Sequence, residues 1–354
     1  MKNRFNHLRR QTWSMPDGVQ KLALLEEAIH IADKYLTEEN AYDARMDYSN
    51  AALECGCPER IFISFSWCLA KFENSPGVYS TFNIMWHYKW ILGQLWRIPQ
   101  FSLEQIEQIF DDFKEKCSKY GYSLRAYYQQ QVNFKMSQGN MEEAAIHYKQ
   151  WRAANRDSLS DCKACEQNLF GRYHFMINQN KKGMQTVKPI LEGKLQCRSI
   201  PQNTYSQIIN PLLKLGEYER AISTANKAFR TITGPGYLTE YGIFMEFFTV
   251  TDMRKAVKLY ERTIRLGLES RVPWDQLQYL LSLRHFLQEW SKTRRRKKLL
   301  ESDTVTLSWL DNEIQSIAEL FNARNGNDYM TQYISEKELN FRRLVLAYSK
   351  AQKE

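Results

Sequence analysis

The residues whose types and spacing most directly suggest chemistry are cysteines. Cys162 and Cys165 form a Cys-x-x-Cys pair preceded by Asp161, and Cys197 follows farther along the chain. That spacing brings two thiols near enough to share one metal ion, and tetrahedral zinc takes four ligands. Cys162 and Cys165 open a helical pattern that runs to about Asn178. Cys197 lies just past the end of a second pattern, Gly183 to Leu191. In an antiparallel hairpin those two ends are neighbours, so the three sulfurs converge. His174 fits poorly as a fourth ligand: it lies nine residues past Cys165, about 14 Å along a helix. Asp161 is better placed. The sharpest reading is a structural zinc staple of Cys162, Cys165, Cys197 and Asp161, with reduced, packed cysteines the more ordinary expectation. Two other readings stay open: reduced cysteines packed as small apolar residues, and a redox pair whose thiols are acidified by Lys163 and the helix N-terminus.

Other candidates are weaker. Cys55-Gly56-Cys57 has one intervening residue and no nearby histidine, so it reads as a turn. Lys292 to Lys298 carries six positive charges in seven residues, and Arg294, Arg295 and Arg296 are its candidate contacts to a polyanion. The run lacks the interleaved aromatics that stack on bases, so a solvated helix end or loop is the favoured reading. The net charge of +9 is a modest excess and does not by itself point to nucleic acid. No Gly-rich phosphate loop, H-E-x-x-H or G-x-S-x-G motif is present. His30, His87, His147, His174 and His285 are scattered singly on helical patterns. A non-enzymatic protein is expected.

The elements that must position these residues are helices. Only 15 Gly and 9 Pro occur in 354 residues, too few for the turns of a β-sandwich, while hydrophobic residues reach 43%. No run of about eighteen apolar residues occurs, so no membrane insertion is expected. The polar, basic N-terminus carries no secretory pattern. Seven cysteines in such a chain suggest reduced thiols and a cytoplasmic location.

One layout recurs. Gly216 precedes Ala221, Ala225 and Ala228 at steps of five, four and three, and the last three residues share one face of a helix. The same steps lead from Gly139 to Ala144, Tyr148 and Trp151, and from Asn178 to Gly183, Val187 and Ile190. Thr251 leads to Ala256, Tyr260 and Thr263. Weaker copies begin at Gln20 (Leu25, Ile29, Ala32), Gly56 (Ile61, Phe65, Cys68) and Phe101 (Ile106, Phe110, Phe113). The seven starts are 36, 45, 38, 39, 38 and 35 residues apart. One such match arises in any amphipathic helix, but seven at a near-constant interval indicate a repeat.

Leu215-Gly216-Glu217-Tyr218 followed by Ala221, and Gln138-Gly139-Asn140 followed by Ala144, resemble the turn and second helix of tetratricopeptide repeats. Trp86-His87-Tyr88-Lys89-Trp90 and Asp157-Ser158-Leu159-Ser160-Asp161-Cys162 resemble segments of a bacterial family of such proteins, abundant in actinomycetes and firmicutes, for which no activity is established. The resemblance implies an all-α, right-handed α-α superhelix of about seven helix pairs with C-terminal capping helices. Degenerate repeats are expected over 1–120, core repeats over 121–266, and capping helices with the basic segment over 267–354.

In such a solenoid the first helix of each pair lines an inner groove. Counting back from each turn assigns Arg125, Gln129, Asn133, Asn168, Arg172, Asn203 and Asn210 to that groove. Amides and arginines suit the backbone of a bound peptide. A scaffold for a protein or peptide partner is therefore the expected function. The alternatives are a peptide-responsive bacterial regulator and a thiol- or zinc-dependent activity centred on Cys162 and Cys165.

Overall fold

A computed structural model describes residues 1–75, 77–293 and 298–351. Among these residues the secondary structure is entirely helical, with two short 3-10 turns at 58–60 and 235–237. The chain divides into two compact units. The first comprises 1–160 with 234–236 and 270–273, and the second comprises the remainder. That division runs through the segment 121–266 rather than along its edges.

The first unit holds α1 (Lys2–Ser14), α2 (Val19–Tyr35), α3 (Glu38–Glu54), α4 (Ile61–Asn74), α5 (Thr81–Leu95), α6 (Leu103–Lys119), α7 (Arg125–Ser137) and α8 (Met141–Ala153). The second holds α9 (Lys163–Met176), α10 (Asn180–Leu191), α11 (Gln202–Lys214), α12 (Tyr218–Thr231), α13 (Leu238–Thr251), α14 (Met253–Glu269), α15 (Pro273–Ser291), α16 (Leu307–Asn325) and α17 (Tyr329–Ala351). Neighbours in sequence pack as pairs: α1 on α2, α3 on α4, α5 on α6 and α7 on α8, then α9 on α10, α11 on α12 and α13 on α14.

Local chemistry sets the helix ends. Thr37, Ser80, Ser102, Asn140 and Thr306 cap helix N-termini by accepting a backbone N–H three residues on, and Ser102 completes a capping box with Gln105. Gly139, Asn178 and Gly216 all have positive φ. At each, the next residue's N–H reaches back to the carbonyl five residues earlier: Asn140 to Lys135, Gln179 to His174, Glu217 to Leu212, at 2.9–3.0 Å. This is the Schellman stop, whose left-handed residue costs a side chain about 1–2 kcal/mol unless it is glycine. Gly56 makes the same turn, with the Cys57 N–H on Ala52 O at 2.9 Å, so four of the seven starts share it, whereas Gln20 lies inside α2 and Thr251 ends α13.

The spaced triplets are the core faces of α2, α4, α6, α8, α10, α12 and α14. Every triplet position is buried except Ile29 and Tyr148, which are half-buried. Ala221, Ala225 and Ala228 are fully enclosed, and so is Trp151. Burying a side chain of tryptophan's size removes 150–250 Å², worth about 4–6 kcal/mol at ~25 cal/mol per Å². Small residues set the spacing elsewhere. A Cβ on Gly183 would sit 2.3 Å from the Phe175 ring, and one on Gly171 would sit 2.3 Å from Val187. The α9–α10 crossing is thus closer than side chains allow.

Candidate functional site

The α9–α10 pair places the three thiols. Cys162 is the N-cap of α9, and its sulfur accepts the N–H of Cys165 at 3.4 Å. Cys165 lies in the first turn of α9. Cys197 lies in the segment after α10, where its own N–H donates to Ile200 O at 3.1 Å. The Cys165 and Cys197 sulfurs are 3.5 Å apart, and all three sulfurs lie within 4.8 Å of one another. Cys162 is exposed and the other two are half-buried, so the cluster opens to the surface. Asp161 does not belong to the group of converging ligand atoms, which among the described residues consists of these three sulfurs. Cys162 is the N-cap and its sulfur turns onto the first turn of α9, whereas Asp161 precedes the helix start.

The sulfurs differ in acidity. Burial pushes the Cys165 thiol up, and its contacts with the Cys162 and Cys197 sulfurs push it further. Burial also opposes charge on Cys197. There the N–H of Ser199, the Cys165 thiol, the Ser199 hydroxyl and the N–H of Ile200 outweigh it, and its pKa falls below the usual value. Of this pair, Cys197 is the sulfur held nearer the thiolate form. By contrast, burial raises Cys68 and Cys117 to about 12, as expected of inert packed thiols. Cys55 and Cys57 are likewise raised by burial. They flank Gly56 in a turn, and Cys55 Sγ accepts the Gly18 N–H at 3.0 Å.

The residues assigned to a peptide groove have varied surroundings. In the first unit Arg125 is buried, and its guanidinium donates to the carbonyls of Trp151 at 3.0 Å and Ala154 at 2.6 Å. It caps the C-terminus of α8 instead of facing a groove. Gln129 is also buried, and Asn133 is half-buried. In the second unit Asn168 is buried and accepts the Thr204 hydroxyl at 2.7 Å, which joins α9 to α11. Arg172 and Asn203 are half-buried, and Asn210 is exposed. Three of the seven are thus internal. Counting along a helix finds the side facing away from one core, but α7 and α9 are buried on more than one side.

Two polar clusters escaped the sequence reading. In the first unit Lys89 is 1% exposed. Its ammonium lies 3.3 Å from the centre of the Trp86 ring and donates to Leu159 O at 2.9 Å. The Asp157 carboxylate accepts the N–H groups of Ser123 and Leu159 and holds that carbonyl in place. The two family-like segments, 86–90 and 157–162, therefore meet. In the second unit, Glu246 on α13 accepts the Ser282 hydroxyl at 3.1 Å. It also lies 3.5 Å from His285 Nδ1 on α15. His285 Nε2 lies 2.9 Å from Glu338 on α17, whose carboxylate also pairs with Arg284 and Arg342. A lone glutamate in the apolar run Phe244-Met245-Glu246-Phe247-Phe248 is the available sequence signal, because a buried carboxylate needs a partner.

Arg294, Arg295 and Arg296 lie outside the described residues. The flanking cations pair locally, Lys292 with Glu289 and Lys298 with Asp303. No described helix is long and apolar enough to cross a membrane. No known family profile matches the chain, and comparison with characterised proteins finds no match.

Proposed function

We propose that the chain is a binding scaffold. In this reading its tetratricopeptide-like pairs follow a right-handed superhelical order within each unit, and the first helices present a face to a peptide segment of a protein partner. The observation that carries this is α17. In the second unit α9, α11 and α13 pack on one another in order, and α17 lies against α13. Met330, Phe341 and Leu344 of α17 are buried in the second unit's core, while Glu338 joins the Glu246–His285 ladder. Tyr333 donates to Gln278 of α15, and Arg172 of α9 acts electrostatically on Tyr329. A first-helix face that seats one amphipathic helix of its own chain has the chemistry to seat another, with apolar anchors and a buried polar register.

The test removes residues 328–354 and supplies a synthetic peptide of residues 329–351. The reading expects saturable binding to the truncated chain, weakened by Glu246→Gln. A helical peptide display library selected on the same protein should return amphipathic helices that compete with that peptide. A truncated, folded chain that binds neither would sink the scaffold reading for this face.

A further inference from the structure

We infer that Cys162, Cys165 and Cys197 form a three-thiolate site for a soft divalent cation of the zinc class, tying the start of α9 to the segment after α10. Geometry makes the case. With a zinc–sulfur bond of about 2.3 Å, the edges of a tetrahedron of sulfurs are about 3.8 Å long. One edge here is 3.5 Å and the others do not exceed 4.8 Å, so small rotations of the side chains close the set around one ion. A disulfide uses two sulfurs at about 2.05 Å and leaves the third without a role. The convergence of three is what metal ligation needs.

The surroundings suit an anionic sulfur set. Cys162 and Cys165 sit at the positive end of α9, where backbone N–H groups point toward them. The Ser199 hydroxyl lies 3.8 Å from Cys197 Sγ, and the Cys197 N–H donates to Ile200 O at 3.1 Å, which fixes the segment that carries this sulfur. Binding replaces each remaining S–H by a sulfur–metal bond and releases its proton to solvent, so three thiols and one dication give a site of net charge −1. The exposed side of Cys162 leaves the fourth position to a water or a small exogenous ligand, the arrangement of an exchangeable ion. The inference is independent of the scaffold reading, since the site needs no partner.

The test uses the full, reduced chain and cobalt(II) as a spectroscopic stand-in for zinc. The expected result is a thiolate-to-cobalt charge-transfer band that saturates at one equivalent and is abolished by zinc. Cys162→Ser, Cys165→Ser and Cys197→Ser should each weaken cobalt binding by about a hundred-fold or more. Loss of a hydrogen-bond partner that orients a ligand costs about 10–100-fold, and loss of a ligand should cost at least as much. Cys57→Ser should leave binding unchanged. Serine at 162 keeps the N-cap, so Cys162→Ser separates lost ligation from lost folding even where the other variants are unstable. Zinc should raise the melting temperature of the parent chain and leave that of Cys162→Ser unchanged. A folded, reduced chain with no charge-transfer band, or a band unaltered in Cys162→Ser, overturns the site. A Cys165–Cys197 disulfide that persists in reductant and excludes cobalt also overturns it.

Discussion

Arg125→Met should loosen the end of α8 while leaving α7 in place. The arginine donates to Trp151 O at 3.0 Å and Ala154 O at 2.6 Å, two carbonyls of the last turn of α8 and its cap. Each charge-assisted bond is worth about 1.5–3 kcal/mol where water cannot replace it. Ala154 is half-buried, so water recovers part of its loss. Methionine keeps the apolar stem but neither donor nor charge, and the α8 dipole loses a cation at its negative end. The net cost is about 2–4 kcal/mol of local stability. Hydrogen exchange read by mass spectrometry on peptides spanning 145–160 measures it. At 1.36 kcal/mol per decade, exchange should accelerate by about thirty-fold or more, with a smaller change over 2–35. Acceleration of less than about three-fold would refute the clamp and return Arg125 to the surface role that its helical position suggested.

Gly216→Ala should lower the first melting transition by about 2–4 °C. Its φ of +77° strains any side chain, by about 1 kcal/mol net, although the added methyl meets nothing within 4 Å. Gly18→Ala, equally uncrowded and in extended backbone at φ 162°, is the matched control in the same melt. Ala225→Leu, at a site with no exposed surface between α11 and α12, should cost about 1–3 kcal/mol by overpacking, seen as a lower urea midpoint. Seating of α17 should depend on pH. Burial opposes charge on Glu246 and Glu338, but the adjacent His285 ring and Lys337 hold Glu246 below the usual 4.5, and the bond to His285 with Arg342 and Arg284 does the same for Glu338. A depressed folded pKa contributes stability above 4.5 that fades as pH falls through the folded value. Burial opposes charge on Lys337 as well, yet Tyr333 and Glu246 raise its pKa above 10.5. Its contribution is full below 10.5 and is lost as pH rises through the folded value. Exchange protection over 329–351, corrected for intrinsic rate, should therefore be flat near neutrality and drop in acid. In Glu338→Gln it should already be lower at pH 7. Equal protection of the parent at pH 7 and pH 3 would contradict this account.

The local pattern carried much of the fold because both of its signals act within a few residues. A Schellman turn needs a left-handed residue, so Gly139, Asn178 and Gly216 mark helix ends wherever the partner helices go. Apolar or small residues at i, i+4 and i+7 share a face by the geometry of one helix, and a buried face follows once any neighbour packs on it. The thiol cluster was legible for the same reason: a hairpin brings the start of one helix beside the segment that follows the next.

Tertiary packing decided the rest. Whether Arg125 or Asn168 meets solvent depends on how many elements surround α7 and α9, and no periodicity within a single helix contains that number. Asp161 neighbours Cys162 in sequence, yet it is not among the ligand atoms that converge with the three sulfurs. Lys89 finds Leu159 across seventy residues, and Glu246, His285 and Glu338 meet from three separate helices. By itself the sequence determined the helical class, the glycine and asparagine stops, the buried triplet faces and the three converging cysteines, because those follow from short-range steric and hydrophobic rules. Which polar residues are structural and which remain available to a partner was decided by the tertiary structure, because burial belongs to the whole packed unit.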